Sequence, residues 1–294
     1  MALTRHESGS LVQIVMYHYL THDTHFRGKI SLMKTDDMNQ GLDPAPGQQR
    51  LAPGPGRDII IFLQKSILLL ARFWYPIALL LAWIILGSAF LAPALMSAGF
   101  TEAGQSIYDF LAPHDHQLPQ RSYFLFGESG LDTYSLEQVL DWGADPQNLR
   151  AFVGNAEIGY KMALNQRMTA IFVAIVSGGF IWGFARTRFR LRRIGFILLT
   201  LPLLLDGISH MISDNSGVGF RDSNAWAVAL TGGVFPTTFY EGTTLGTLNW
   251  LLRTATGLLF GFGLVWFLFT YLAGRFDPIR AKLEPKLRRM GAIK

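Results

Sequence analysis

The residues in this chain that could do chemistry are histidines, aspartates and arginines, and several stand within or beside strongly apolar sequence. Asp206, His210 and Asp214 follow at four-residue intervals, which places all three on one face of a helix. Asp206 is embedded in an apolar stretch, where an ionisable group is costly and therefore a functional candidate. Arg167 and Arg253 stand near the ends of two other apolar stretches, and Arg121 and Arg221 lie in the loops between them. Four arginines of this kind suit a phosphate or carboxylate, because a planar guanidinium donates to two oxygens at once. His114, His116, His210 and Asp222 are nitrogen and oxygen donors of the sort that hold a divalent zinc, manganese or magnesium ion. His116, Asp206 and His210 are also the candidates for acid–base catalysis. Each has a plainer reading. Arg167 and Arg253 can snorkel to head groups, and Asp206 can pair with Arg253 simply to tie two helices together. Adjacent residues in His114-Asp115-His116 do not face the same way, so this run is a weak metal signal on its own. The chain contains no cysteine, which excludes disulfides, thiolate metal sites and cysteine nucleophiles.

The elements that must position these residues are legible from composition. Half of the 294 residues are hydrophobic and only 16% are charged, against about 25% in an ordinary soluble domain. The apolar residues come in blocks. A membrane-spanning helix needs roughly 20 of them, and four segments qualify: 74–96, 168–185, 194–212 and 249–274. The prediction is an all-α integral membrane protein with four transmembrane helices. Residues 58–72 are apolar with Lys65 and Arg72 interspersed, which predicts an interfacial helix leading into the first span. Lys and Arg set the orientation. The connection between the second and third spans holds five arginines in the eight residues 186–193, whereas 97–166 carries nine acids against three Lys or Arg. The positive-inside rule then puts both termini in the cytoplasm and the 97–167 and 213–248 loops outside. On this topology Asp206, twelve residues past Ile194, sits about 18 Å deep, and nearly all the chemistry-bearing residues gather toward the outer leaflet.

The remaining organisation is simple. Residues 1–57 are polar and end in a Pro/Gly-rich linker, the composition of a flexible cytoplasmic tail. No signal-peptide pattern precedes the first span. His18, His22 and His25 share a helical spacing within that tail but stand in an otherwise featureless stretch. Residues 275–294 form a basic cytoplasmic tail. The pI near 9.5 comes from basic residues at membrane flanks, so anionic lipid is the expected contact and nucleic acid is not. The paired glycines lack a following Lys-Ser/Thr, so there is no phosphate loop, while Gly257, Gly261 and Gly263 suit close helix packing.

An ordered set of motifs adds a resemblance. His116-Gln-Leu-Pro-Gln-Arg-Ser-Tyr-Phe-Leu-Phe-Gly127, Gly159-Tyr-Lys-Met-Ala-Leu-Asn-Gln-Arg167, Pro202-Leu-Leu-Leu-Asp-Gly207, Arg221-Asp-Ser-Asn224 and Leu252-Arg-Thr-Ala-Thr-Gly257 resemble, in order, the motifs of the bacterial membrane family called domain of unknown function 2085. The resemblance covers roughly residues 105–272. It implies a multi-span protein of the bacterial plasma membrane and names no activity. Where the family pattern has cysteines this chain has Asp115 and Asn165, and where the family often has Gln it has His210. Some two dozen additional residues separate Asn224 from the Leu-Arg-Thr motif.

Three functions follow as expectations. The first is a binding or accessory protein for a lipid head group or a partner subunit. The second is a membrane enzyme acting on an anionic lipid or polyprenyl-phosphate head group, with a divalent metal as an option. The third is a small-solute or proton path through Asp206 and His210, which with four spans would need a homo-oligomer.

Overall fold

The computed structural model describes residues 54–185, 190–217 and 219–294. Most of the 1–57 tail, with His18, His22 and His25, and the Arg186 and Arg188 end of the arginine-rich connection lie outside the described residues. Helix α1 runs from Pro55 to Ser97. Proline is tolerated at its first turn, where the missing N–H has no helical partner. The apolar run from Ile59 onward is therefore one helix of 43 residues, about 64 Å long. The segment 58–72, expected as a separate helix leading into the first span, is continuous with the first long apolar helix, because Lys65 and Arg72 interrupt the hydropathy without interrupting the backbone.

Helix α2 (Thr101–Leu111) folds back on α1. The chain then builds an antiparallel sheet from β1 (Ser122–Gly127), β2 (Gly130–Asp132), β3 (Gly154–Asn155) and β4 (Gly159–Asn165), in the order β2-β1-β4-β3. The short helix α3 (Leu136–Asp141) lies between β2 and β3 and starts on a reciprocal Ser135–Gln138 capping box. The sheet corrects the all-α expectation. Two of the quoted motifs are its central strands, with Phe124 opposite Lys161 and Leu125 opposite Tyr160. One side of β4 buries Met162 and Leu164 with Ala89 and Ala92 of α1 and Tyr108 of α2. Phe124 packs on Tyr134, Val139 and Ile158.

Strand β4 passes without a loop into α4 (Gln166–Ala185), and α5 (Arg193–Ser216) follows. Three short helices come next: α6 (Phe220–Ser223), α7 (Ala225–Thr231) and α8 (Thr237–Tyr240). The last helix is continuous from Leu248 to Arg289. It comprises α9 (Leu248–Leu264), a π-helical turn over Val265–Phe269 and α10 (Thr270–Arg289), so most of the predicted basic tail is helical. These four long helices are long and apolar enough to cross a membrane, in the order and near the positions the hydropathy predicts.

Helix α5 is arranged inversely to a helix of a water-soluble protein. Its three buried residues are Asp206, His210 and Ser213, while Ile197, Leu198, Leu201, Leu205 and Met211 are exposed. Apolar side chains outward and polar ones inward is the pattern expected of a helix solvated by lipid. Helix α9 lies between α4 and α5 and is glycine-rich on both contact faces. A side chain at Gly257 would meet the Arg167 carbonyl at 2.8 Å, one at Gly261 would meet the Ile171 carbonyl at 2.6 Å, and one at Gly263 would meet Leu199 at 3.1 Å. Small residues let the backbones approach this closely. At the far end of the bundle from the sheet, Trp74, Trp182, Phe269 and Phe276 interlock through edge-on and stacked ring contacts.

Candidate functional site

The four-residue rhythm of α5 turns Asp206 and His210 toward α4 and α9. Arg167 reaches Asp206 from the first turn of α4, with Nη2 2.5 Å from Oδ2. Arg221 arrives from α6 on the other side, with Nη2 2.7 Å from Oδ1. Each carboxylate oxygen thus takes one guanidinium. Gly207 makes room for this, since a side chain there would meet Arg167 Nη1 at 3.2 Å. Arg221 is fixed further by its backbone, whose N–H donates to Ser213 Oγ at 3.0 Å and whose carbonyl accepts from Asn249 at 2.7 Å. Its Nη2 also lies 3.2 Å from His210 Nε2.

Arg253 does not take the place expected for it. Each oxygen of Asp206 is already bonded to Arg167 or Arg221, and Arg253 instead sets Nη2 3.4 and 3.5 Å from the two ring nitrogens of His210. Arg253 is 3% exposed, its Nη1 has no partner, and among the described residues it makes no ion pair with a carboxylate. The expected Asp206–Arg253 bridge is therefore corrected. The depth offset along the helices permits it, but the rotation of α9, set by its glycine face against α4, carries Arg253 to the imidazole. At the rim, Arg121 pairs with Asp214 at 2.7 Å, and both side chains retain solvent contact. The unit as a whole gathers Arg121, Arg167, Arg221 and Arg253 around Asp206 and Asp214, so guanidiniums outnumber carboxylates by two. Unsatisfied buried Nε atoms on Arg121, Arg167 and Arg221 add donor capacity.

Other predicted site residues stand apart. His114 and His116 are exposed, and the His116 carbonyl accepts from Arg150 Nε at 3.3 Å. Asp222 is exposed beside the buried Arg221. His114, His116, His210 and Asp222 do not form a ligand set: among the described residues no group of three His, Cys, Asp or Glu side chains is placed to hold a metal. The arrangement offers donors and positive charge, the chemistry of an anion site rather than of a metal centre. Compared with protein-family models, curated proteins and solved structures, the chain has no match.

Residues not singled out by their chemistry hold the site in place. Asp115 is buried and accepts from the N–H groups of Gln117 and Asn165 and from the Asn165 side-chain amide at 2.7–3.0 Å. Burial raises its pKa, and those three hydrogen bonds oppose the rise. Asp115 and Asn165 are the two positions at which the family resemblance implies cysteines, and a hydrogen-bonded pair stands there. Gln117 sits at φ 51° and donates its side-chain amide to the carbonyls of Tyr108 and Ala163. Lys161, fully buried under the sheet, donates to the carbonyls of Gln117 at 2.9 Å and Arg150 at 2.5 Å. These bonds pin the loop that carries Arg121 and the segment before β3.

Burial, together with the Arg150 charge, lowers the Lys161 pKa to about 7 from its ordinary 10.5. The folded state therefore binds fewer protons than the unfolded chain between pH 7 and 10.5, and stability gains as pH rises across that window. Lys161→Met removes the titration. The thermal midpoint of the wild type is expected to rise relative to that of Lys161→Met between pH 6.5 and 9.5, at about 1.4 kcal/mol per pH unit where only the unfolded state is protonated. Parallel midpoints across that range would contradict it.

Proposed function

We propose that this chain is a four-span protein of the bacterial plasma membrane, with both termini cytoplasmic and the sheet on the outer side. There it binds an anionic group, phosphate or carboxylate, and acts as a binding or accessory protein. The observation that carries this reading is Arg253: a buried guanidinium without a carboxylate, next to a pair of arginines that already satisfy Asp206. An uncompensated buried charge is expensive, and an anion seated beside Arg253 and His210 cancels it. The Arg121–Asp214 pair is the part of the cluster that keeps solvent contact. A partly exposed ion pair of this kind contributes only about 0–1 kcal/mol, so it opens at little cost. His210, between the Arg221 and Arg253 guanidiniums, lines the same site.

Two experiments test the reading. Inorganic phosphate titrated into delipidated protein in detergent is expected to raise the thermal midpoint of the wild type. It should leave Arg253→Gln unmoved, with chloride at equal ionic strength as the reference. An equal phosphate response in both proteins removes Arg253 from the site. For orientation, a reporter active only in the cytoplasm should respond when fused at Arg190 or after Lys294 and stay silent when inserted near Asp141. Activity at Asp141 reverses the topology and places the arginine cluster on the inner side.

A further inference from the structure

The anion site continues into an apolar surface. Between Ser223 and Glu241 the chain contains no charged residue. Helices α7 and α8 and the turn joining them hold Trp226, Leu230, Val234 and Phe235 outward, with Leu230 80% and Val234 78% exposed. On its inner side the segment is fastened by polar bonds. Asn224, in the left-handed conformation that asparagine tolerates, donates its amide to the Tyr240 carbonyl at 2.6 Å and accepts from Trp226 Nε1 at 3.2 Å. The Tyr240 hydroxyl bonds Thr231 and accepts from the Phe235 N–H. The foot of the segment is tied to residues that flank β1 and β2, with Thr243 Oγ1 donating to the Gln120 carbonyl at 2.6 Å and the Leu245 N–H to Thr133 Oγ1 at 2.6 Å. The apolar residues are thus held outward by a bonded frame.

Two features identify what covers this surface. The segment joins two helices long and apolar enough to cross a membrane, at the end where Asp206 and His210 lie, so it sits at the level of the bilayer interface. It also touches the anion site directly: the Arg221 guanidinium, which holds Asp206, lies 5.8 Å from the Trp226 ring. A ligand spanning both has an anionic head and a hydrocarbon tail.

We infer that residues 225–240 form a membrane-seated flap and that the anion taken by the arginine cluster is the phosphate of an outer-leaflet lipid, whose acyl chain lies along Trp226, Leu230, Val234 and Phe235. This rests on the anion-binding reading above and adds the source of the anion: a lipid, not a free solute. The uncharged face excludes a polar partner, since amphipathic segments that lie in the interface present apolar residues to the acyl boundary. Trp226 stands where an indole does best, with its ring at the head-group level.

The chain has no cysteine, so single cysteines report without background. A fluorophore on Leu230→Cys or Val234→Cys, in phosphatidylcholine vesicles containing phosphatidylglycerol, is expected to be quenched by doxyl-labelled lipid and protected from aqueous iodide. A label on Glu137→Cys of α3 should show the reverse. Quenching of the flap labels by iodide alone overturns the inference. In the same vesicles, Leu230→Glu with Val234→Glu is expected to lower the phosphatidylglycerol that stays bound through detergent extraction by about tenfold, counted by native mass spectrometry. That variant should keep the midpoint response to inorganic phosphate. Unchanged lipid retention overturns the flap while leaving the anion site intact. An unchanged phosphate response in Arg253→Gln defeats the anion reading itself, and this inference with it. If the double variant does not fold, the labels on the single-cysteine proteins still decide the matter.

Discussion

Replacing Asp206 by Asn is expected to remove most of the folded protein. The carboxylate is 6% exposed and is the shared counter-charge of Arg167 and Arg221. Removing one partner of a buried ion pair costs about 3–5 kcal/mol because the other is left uncompensated, and here two guanidiniums lose their partner together. Folded yield in detergent, followed by size-exclusion chromatography, should fall sharply. Arg221→Met added to Asp206→Asn should recover part of the loss, because it removes one stranded charge. Arg253→Leu added to Asp206→Asn should recover less, since Arg253 was never the partner. In delipidated protein without added phosphate, Arg253→Met alone should leave the midpoint unchanged or raise it, since no bound anion is lost. If Arg253→Met is as damaging as Asp206→Asn, Arg253 has a counter-charge and is not the vacant donor of the site.

The second large effect belongs to Gly261. A side chain there would meet the Ile171 carbonyl and the Ala174 methyl, both at 2.6 Å. Neither is the end of a flexible chain, so the helices must separate. Overpacking of this kind costs about 1–3 kcal/mol for small additions, and Gly261→Leu should exceed that range. The displacement also carries Arg253, two turns along the same helix, away from His210. Gly261→Leu is therefore expected to lower the thermal midpoint and to abolish the phosphate response, whereas Gly274→Leu, with nothing within 4 Å, should do neither. A stable Gly261→Leu protein would mean that α4 and α9 do not pack as described.

The four long apolar helices were legible because apolar runs of bilayer length leave few alternatives. The gathering of Arg167, Asp206, His210, Arg221 and Arg253 was legible because helix periodicity and charge bias place them at one level. The partners were not. Depth allows Asp206 to meet Arg253, but only the rotation of α9 chooses between an aspartate and a histidine, and that rotation comes from Gly257 and Gly261 against α4. The sheet was hidden for a different reason. Strand β4 buries residues on both faces, with Lys161, Met162, Ala163 and Leu164 consecutively buried, so the alternation that marks a half-exposed strand is missing. Lys161, fully buried, is the charged member of that run. His116, prominent in its motif, turned out to be exposed, while its neighbours Asp115 and Gln117 hold the structure.

If the arginine excess holds the phosphate of a lipid, purified protein carries that phosphate with it. Total phosphorus in protein purified in mild detergent, measured for the wild type and for Arg253→Gln, tests it most directly. About one phosphorus atom should be retained per wild-type chain above the detergent blank, consistent with a single oxyanion bound between guanidiniums, and none above the blank in Arg253→Gln. Equal phosphorus in the two proteins, or none in either, would contradict it.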